Sequence, residues 1–313
     1  MRKCLYCYKE LNGNETDFHS KCSQQFFGSK VAPTVSYTVN QMAQLAKNVV
    51  ERSISVPGVQ PKLSVSFVND ALDKKESRLT IVGALGGAYI FKPPTKEFES
   101  MPENEHVTMR LAELFEIRVV PSSLIRLQSG ELGYITKRID RTESGQKIHM
   151  LDMFQILEAF DKYKGSMEKI GKALEKYSAN PLLDKLFLFE LTLFSFLTGN
   201  SDMHLKNFSM FKQDSGWQLA PAYDLLNVNL VMPEDKEELA LTLEGKKLKI
   251  TKDMLDTFGQ GIGLNEKQLL RVYQRFFAKQ TELENLLQES FLNDLLKRRY
   301  LEIVLERYQK LNT

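Results

Sequence analysis

Cysteine is scarce in this 313-residue chain: there are three, all before residue 23. So few thiols, gathered at one end, exclude a secreted disulfide scaffold. A surplus of one charge is also missing. Lys and Arg total 42 against 40 Asp and Glu, a formal net charge of +2, which gives no push toward nucleic acid or an anionic membrane surface. Nor is there a long uninterrupted apolar run. The most hydrophobic stretch, LLDKLFLFELTLFSFLTG (182–199), carries Asp184, Lys185 and Glu190, so it predicts a buried helix rather than a transmembrane one. The first residues, MRKCLYCYKEL, lack the apolar core of a signal peptide. No internal repeat or low-complexity tract is present. The expected compartment is the cytoplasm.

What remains is ordinary globular composition, 42% hydrophobic and 26% charged, on a chain long enough for two lobes. Residues 36–50 read as a helix, with Met42, Leu45, Ala46 and Val49 on one face. Alternation through Leu63, Val65 and Phe67, then 79–82 and 88–91, predicts antiparallel strands with turns at Gly83, Gly86 and Gly87. A helix at 103–116 and strands at 123–127 and 132–138 follow. Beyond about residue 150 the pattern is mainly helical, at 151–160, 166–178, 181–198, 266–288 and 290–311. Trp217, the single tryptophan, sits in a short strand and reads as core. The expected fold is α+β and two-lobed, with a Cys/His segment at 1–28, a β-rich lobe at 29–140 and a helical lobe at 141–313.

The stretch GNSDMHLKNFSM (199–210), followed by AYDL (222–225), carries the chemistry. Phosphoryl transfer needs a carboxylate to orient a hydroxyl and an Asp/Asn pair to hold Mg²⁺ against phosphates. Asp202 and Asn207 stand five residues apart, the spacing of a kinase base and metal-binding Asn, and Asp224 follows as the second metal ligand. Lys206 is placed to offset charge on the transferred group. The plainer account is turn chemistry, since Asp, Asn and Ser cluster in many loops.

At the other end, Cys4-x-x-Cys7 and His19-x-x-Cys22 have zinc-knuckle spacing, with Asn12-Gly13 as a turn between the pairs. An incidental apolar cluster and a redox-active thiol pair are the other readings.

GNSDMHLKNFSM with LAPAYDLLN resembles the signature of the HipA-type serine/threonine kinases, toxins of bacterial toxin–antitoxin operons. SISVPGVQPKLSV (53–65), YIFKPP (89–94), ENEHVTMRLAELF (103–115) and YITKRIDR (134–141) resemble that family's other blocks, in the same order, over roughly residues 50–310. Departures from animal-type kinases are plain: no G-x-G-x-x-G, Asn-Ser-Asp for His-Arg-Asp, and Tyr-Asp-Leu for Asp-Phe-Gly. An extra N-terminal β-domain of longer HipA proteins is expected to be absent, as in the short HipT-type branch, where a separate small protein supplies it.

The resemblance implies an ATP- and Mg²⁺-dependent kinase. Pro57, Gly58, Val59, Gln60, Pro61 and Lys62 would line the triphosphate, and Ser53 or Ser55 would be autophosphorylated. Lys92 would meet phosphates, paired with Glu105, although Glu103 serves nearly as well on spacing. Lys137, Arg138 and Ile139 would present backbone groups to adenine. Asp140 would reach the ribose or pair with Arg141. His204, Leu205 and Lys206 would lie near the phosphates, although a structural hydrogen bond to the loop suits His204 as well. Tyr223, beside Asp224 in the nucleotide-binding set, packs the loop together with Leu225. The implied substrate is a translation factor such as an aminoacyl-tRNA synthetase, and the implied partners are a DNA-binding antitoxin and the small separate protein. No direct nucleic-acid or membrane contact is expected. Two rival readings are a metal-dependent phosphohydrolase using Asp202, Asp224 and His204, and a non-catalytic binding module on a kinase scaffold.

Overall fold

The computed structural model describes residues 2–42, 44–45, 62–69, 77–81, 87–142 and 144–312. Ser53, Ser55, Pro57, Gly58, Val59, Gln60 and Pro61 lie outside the described residues, as do Gly83 and Gly86. The chain divides into two compact units. The first comprises Met1–His106, Val120–Gln146 and Glu289–Phe291, and the second Val107–Val119, Lys147–Gln288 and Leu292–Thr313.

The first unit is built on five antiparallel strands, β1 (Leu63–Asn69), β2 (Ser77–Ile81), β3 (Tyr89–Lys92), β4 (Ser122–Arg126) and β5 (Leu132–Lys137), in the order β2-β1-β3-β5-β4. Alternation sets which face is buried. Leu63 pairs with Phe91 and Phe91 with Ile135, all three at most 1% exposed. Gly133 on β5 lets Phe91 lie flat, because a Cβ there would stand 2.4 Å from the Phe91 ring. Phe91 is itself 1% exposed and cannot swing away. Gly133→Ala is therefore expected to destabilise the protein by about 1–3 kcal/mol through overpacking, measured as a lower urea midpoint.

The N-terminal segment packs on this sheet. Helix α1 (Ser20–Phe27) ends in a left-handed Gly28 and contributes Phe26 and Phe27 to the same buried cluster as Val65 and Phe91. Of the helix expected at 36–50, helical backbone is described at 39–42 and 44–45. Thr38 and Gln41 open it with a capping pair: Thr38 N donates to Gln41 Oε1 at 2.8 Å and Gln41 N to Thr38 Oγ1 at 3.4 Å. Helix α2 (Met101–Leu114) follows β3, and its first turns, through His106, belong to this unit.

The second unit is mainly helical around α5 (Pro181–Leu197). Pro181 stands in its first turn, where no amide partner is needed, and every residue from Phe187 to Leu197 is buried. That all-round burial explains the apolar run. The charges within it are satisfied. Asp184 accepts from Leu219 N at 2.7 Å and Ser178 Oγ at 2.6 Å, and Glu190 accepts from Arg275 at 2.6 Å. No helix among the described residues is long and apolar enough to cross a membrane.

Around α5 stand a three-stranded antiparallel sheet, β6 (Met150–Asp152), β7 (Ser209–Gln213) and β8 (Gly216–Leu219), and seven further helices among the described residues. These are α3 (Met153–Ile156), α4 (Met167–Tyr177), α6 (Val228–Val231), α7 (Lys252–Gly261), α8 (Glu266–Ala278), α9 (Gln280–Glu289) and α10 (Asp294–Leu311).

Several sequence expectations need correction. The helix expected at 151–160 is a strand and a four-residue helix, because Leu151 and Asp152 pair with Met210 and Ser209 before Asp152 caps α3. The single helix expected at 266–288 breaks at Lys279, whose amide returns to Phe276 O. The helix expected from 290 starts at Asp294, where the Asn293 side chain accepts from Leu296 N. Trp217 is only half-buried on β8, edge-on to His149 at 5.1 Å, and is not core.

Candidate active site

Helix α5 ends at Thr198, and Gly199 turns the chain with φ +67°. A Cβ at this position would stand 2.9 Å from Asn229 Oδ1 and 3.0 Å from Asn227 Oδ1. Only glycine combines that φ with that crowding. The Gly199 carbonyl accepts from Val228 N at 2.9 Å, so the loop entry is tied to α6.

Beyond the turn, anchors alternate with polar groups. Asn200, Met203 and Leu205 are buried, whereas Asp202 is half-buried and Lys206 exposed. The Asp202 carbonyl accepts from His204 N at 2.8 Å and from Asn207 Nδ2 at 3.2 Å. Asp202 and Asn207 thus close one turn. That contact uses Nδ2 and leaves the Asn207 Oδ1 outside it. Leu205–Asn207 form a single 3₁₀ turn leading into β7.

The Asp202 carboxylate accepts a 2.6 Å hydrogen bond from the Tyr163 hydroxyl. Burial, then that bond and the Asp202 charge, push the Tyr163 phenol above its ordinary range, so it remains a donor at neutral pH. The Tyr163 ring stands edge-on to His204, centroids 5.1 Å apart. Burial pushes the His204 imidazole below its ordinary value of 6.5. Lys162 acts in the same direction, while the charges of Asp202 and Asp224 oppose it. Two carboxylates 22 positions apart in sequence therefore act on one neutral imidazole. His204 Nδ1 is buried without a hydrogen-bond partner among the described residues, so a bond from that nitrogen to the loop backbone is not its role.

Asp224 adopts φ +62°, a conformation that costs a non-glycine residue about 1–3 kcal/mol and needs support from its surroundings. Its neighbours supply that. The Tyr223 hydroxyl bonds Ser209 Oγ at 2.5 Å and donates to Lys206 O at 3.0 Å, and Leu225 is fully buried. Lys206 holds its ammonium 4.7 Å from the Phe154 ring centre. Carboxylate and carboxamide oxygens are hard donors, so Asn207 and Asp224 suit Mg²⁺.

In the first unit Lys92 ends β3 and is 3% exposed. Its Nζ donates to Glu105 Oε1 at 2.6 Å, and Glu105 is 1% exposed. Glu103, two positions earlier on α2, faces another way, as i and i+2 must on a helix; burial raises its carboxyl. The amides of Lys137 and Arg138 donate to Pro121 O at 3.0 Å and Ala88 O at 2.9 Å. A hydrogen bond from this stretch to a base therefore falls to its carbonyls or to the Ile139 peptide. Asp140 is held by Arg138 in a two-point pair at 2.8 and 2.6 Å and by Arg141 at 2.6 Å. Burial would raise its carboxyl, but the two guanidinium groups prevail and lower it. Lys62 is exposed at the start of the sheet.

Tyr163 and Lys162 went unread in the sequence. DKYKG carries no signal beyond that of a polar turn, and the two residues reach Asp202 and His204 only through the path of the chain.

The family model for the HipA-like C-terminal domain matches residues 54–283. A "Putative kinase" of Haemophilus influenzae is 25% identical over 290 residues, 83% of this chain and 81% of that protein. "Putative kinase Y4dM" of Sinorhizobium fredii is 33% identical, covering 69% of this chain and 55% of its own length. The "Serine/threonine-protein kinase toxin HipA" of Shewanella oneidensis is 27% identical over 69% of this chain and 53% of its own. The chain thus spans little more than half of the last two. Among solved structures, Shewanella oneidensis HipA, in a complex with HipB and operator DNA, superposes with a TM-score of 0.66 at 22% identity. That match covers 86% of this chain and 73% of the other. The Helicobacter pylori proinflammatory kinase CtkA gives 0.53 at 16%, covering 74% of this chain and 90% of its own. These two likenesses establish a kinase-like α+β fold, and the family match over 54–283 establishes that this chain belongs to the HipA-like C-terminal domain family.

Proposed function

We propose that the protein is an ATP- and Mg²⁺-dependent serine/threonine kinase, the toxin of a bacterial toxin–antitoxin pair acting in the cytoplasm. The observation that carries the reading is the buried Lys92–Glu105 pair at 2.6 Å. A phosphohydrolase built on Asp202, Asp224 and His204 has no use for a cation held this way, whereas a kinase needs one at the phosphates. Asp202 would orient the substrate hydroxyl and accept its proton. Asn207 Oδ1 and the Asp224 carboxylate would hold the magnesium, which neutralises charge on the phosphates when bound. His204, neutral and surrounded by carboxylates, would donate rather than compete as a base. Lys206 and the loop at 57–62 would meet the phosphates, and Lys137–Ile139 the base.

By the same family likeness, Ser53 or Ser55 would be autophosphorylated. A translation factor, for example an aminoacyl-tRNA synthetase, would be the target. A DNA-binding antitoxin and a small separate protein, as in the HipT-type branch, would be the partners. That Shewanella HipA was solved with HipB and operator DNA supports the antitoxin.

The test is intact-mass analysis of dephosphorylated protein incubated with ATP and Mg²⁺. A phosphate gain mapped to Ser53 or Ser55 is expected. No gain from protein that binds ATP would remove self-modification. Inorganic phosphate released without any phosphoprotein would turn the reading to a hydrolase.

A further inference from the structure

The first unit holds a second cluster that phosphotransfer does not use. Cys4, Cys7, His19 and Cys22 bring three sulfurs and one imidazole nitrogen to within 4.8 Å of one another. Cys7 Sγ and Cys22 Sγ stand 3.4 and 3.7 Å from His19 Nδ1. In a tetrahedral zinc site, bonds of about 2.0–2.3 Å put neighbouring ligands about 3.3–3.8 Å apart. The two sulfur–nitrogen distances fall in that range.

The backbone explains how the four meet. Cys4 and Cys7 lie on a tight turn, where Tyr8 N donates to Cys4 O and Cys4 N to Lys9 O, each at 2.9 Å. The turn closes through Tyr8 at φ +67°. His19 is the N-cap of α1 and Cys22 sits in its first turn, so helical spacing presents both to one side. His19 Nε2 lies 2.9 Å from Glu10 O. A carbonyl can only accept, so Nε2 carries the proton and the Nδ1 lone pair faces the sulfurs. A metal-bound histidine is oriented in this way.

Apolar packing does not require an imidazole lone pair aimed into a thiol cluster. A disulfide would consume two of three cysteines and leave the histidine without a role, and none of the three forms one.

We propose that Cys4 Sγ, Cys7 Sγ, Cys22 Sγ and His19 Nδ1 bind one structural Zn²⁺ with no open coordination position. The metal would set the Tyr8 turn. Tyr8 is 1% exposed, and its hydroxyl bonds His106 Nδ1 at 2.8 Å, one residue beyond Glu105 on α2. The same module is tied to β4 by Leu124 N donating to Leu5 O at 3.3 Å and by Arg126 pairing with Asp17 at 2.9 Å. The zinc thus braces the segment against which the first turns of α2 are packed. This proposal stands whether or not the chain transfers phosphate.

The test is elemental analysis of the full chain after gel filtration, together with cobalt substitution. About one zinc per chain is expected. Co²⁺ added after chelation should give thiolate charge-transfer and tetrahedral ligand-field absorption. His19→Cys, which keeps four ligands, should retain the metal, and Cys22→Ala should lose most of it. Because Cys22→Ala could simply misfold, the wild-type stoichiometry and the His19→Cys variant decide the matter. A folded wild type holding less than about a tenth of an equivalent of metal, iron in place of zinc, or a cobalt spectrum without thiolate bands would each overturn it.

Discussion

Asp202→Ala is expected to lower phosphotransfer by about 10²–10⁴-fold, the usual weight of a positioned general base. ATP binding should persist. The expectation rests on where the side chain stands. Its backbone carbonyl closes the turn with His204 N and Asn207 Nδ2, so these contacts survive loss of the carboxylate. The Tyr163 hydroxyl loses its acceptor, but at 38% exposure it can turn to water. The turn should therefore keep its shape while losing the group proposed to take the proton. Equilibrium binding of a nucleotide analogue, measured beside the transfer rate, separates the two. Transfer within tenfold of wild type would remove Asp202 as the base, and loss of binding as well would mean that the loop had collapsed.

Lys92→Met should have the second large effect, and on two quantities. It withdraws the cation from a carboxylate that is 1% exposed. Removing one member of a buried pair costs about 3–5 kcal/mol, because the remaining charge is left in a poorly solvated place. It also removes the contact of the Lys92 ammonium with the Tyr134 ring, 5.4 Å from its centre. Phosphotransfer should fall with it, since the lysine is the phosphate contact of the proposed kinase. Adding Glu105→Gln to Lys92→Met separates these effects. Stability in urea should return most of the way, since no buried charge remains, while transfer stays lost. Recovery of transfer in the double variant would reduce Lys92 to a structural role. A single variant as stable as wild type would mean that the pair is not buried in solution.

The two experiments probe features of different legibility. The turn that Asp202→Ala leaves intact could be read locally, because Asp202, Met203, Leu205 and Asn207 fall within six consecutive positions. The pair that Lys92→Met breaks could only be narrowed to two glutamates. Alternation through Leu63 and Val65 and through Tyr89 and Phe91 marked strands because each of those side chains is buried on one face of one sheet. Helix ends were less legible. Residues 151–160 carry helical spacing, yet Leu151 and Asp152 pair with Met210 and Ser209, some 57–59 positions on. Such pairing outweighs a propensity of a few tenths of a kcal/mol per residue.

What the sequence determined by itself is whatever depends on neighbours along the chain. This includes the strands of the five-stranded sheet, the buried helix whose apolar run is interrupted by Asp184, Lys185 and Glu190, the Asp202–Asn207 turn, and the two Cys/His pairs of the N-terminal segment. Tertiary structure decided which distant groups meet. It chose Glu105 over Glu103 for Lys92, because helix rotation turns only one of them toward β3. It set Tyr163 on Asp202, brought Asp224 to act on His204, and closed Cys4, Cys7, His19 and Cys22 around one point. The physical reason is the same in each case. Periodicity records the face a residue shows, whereas the partner on that face depends on the path of the chain between them.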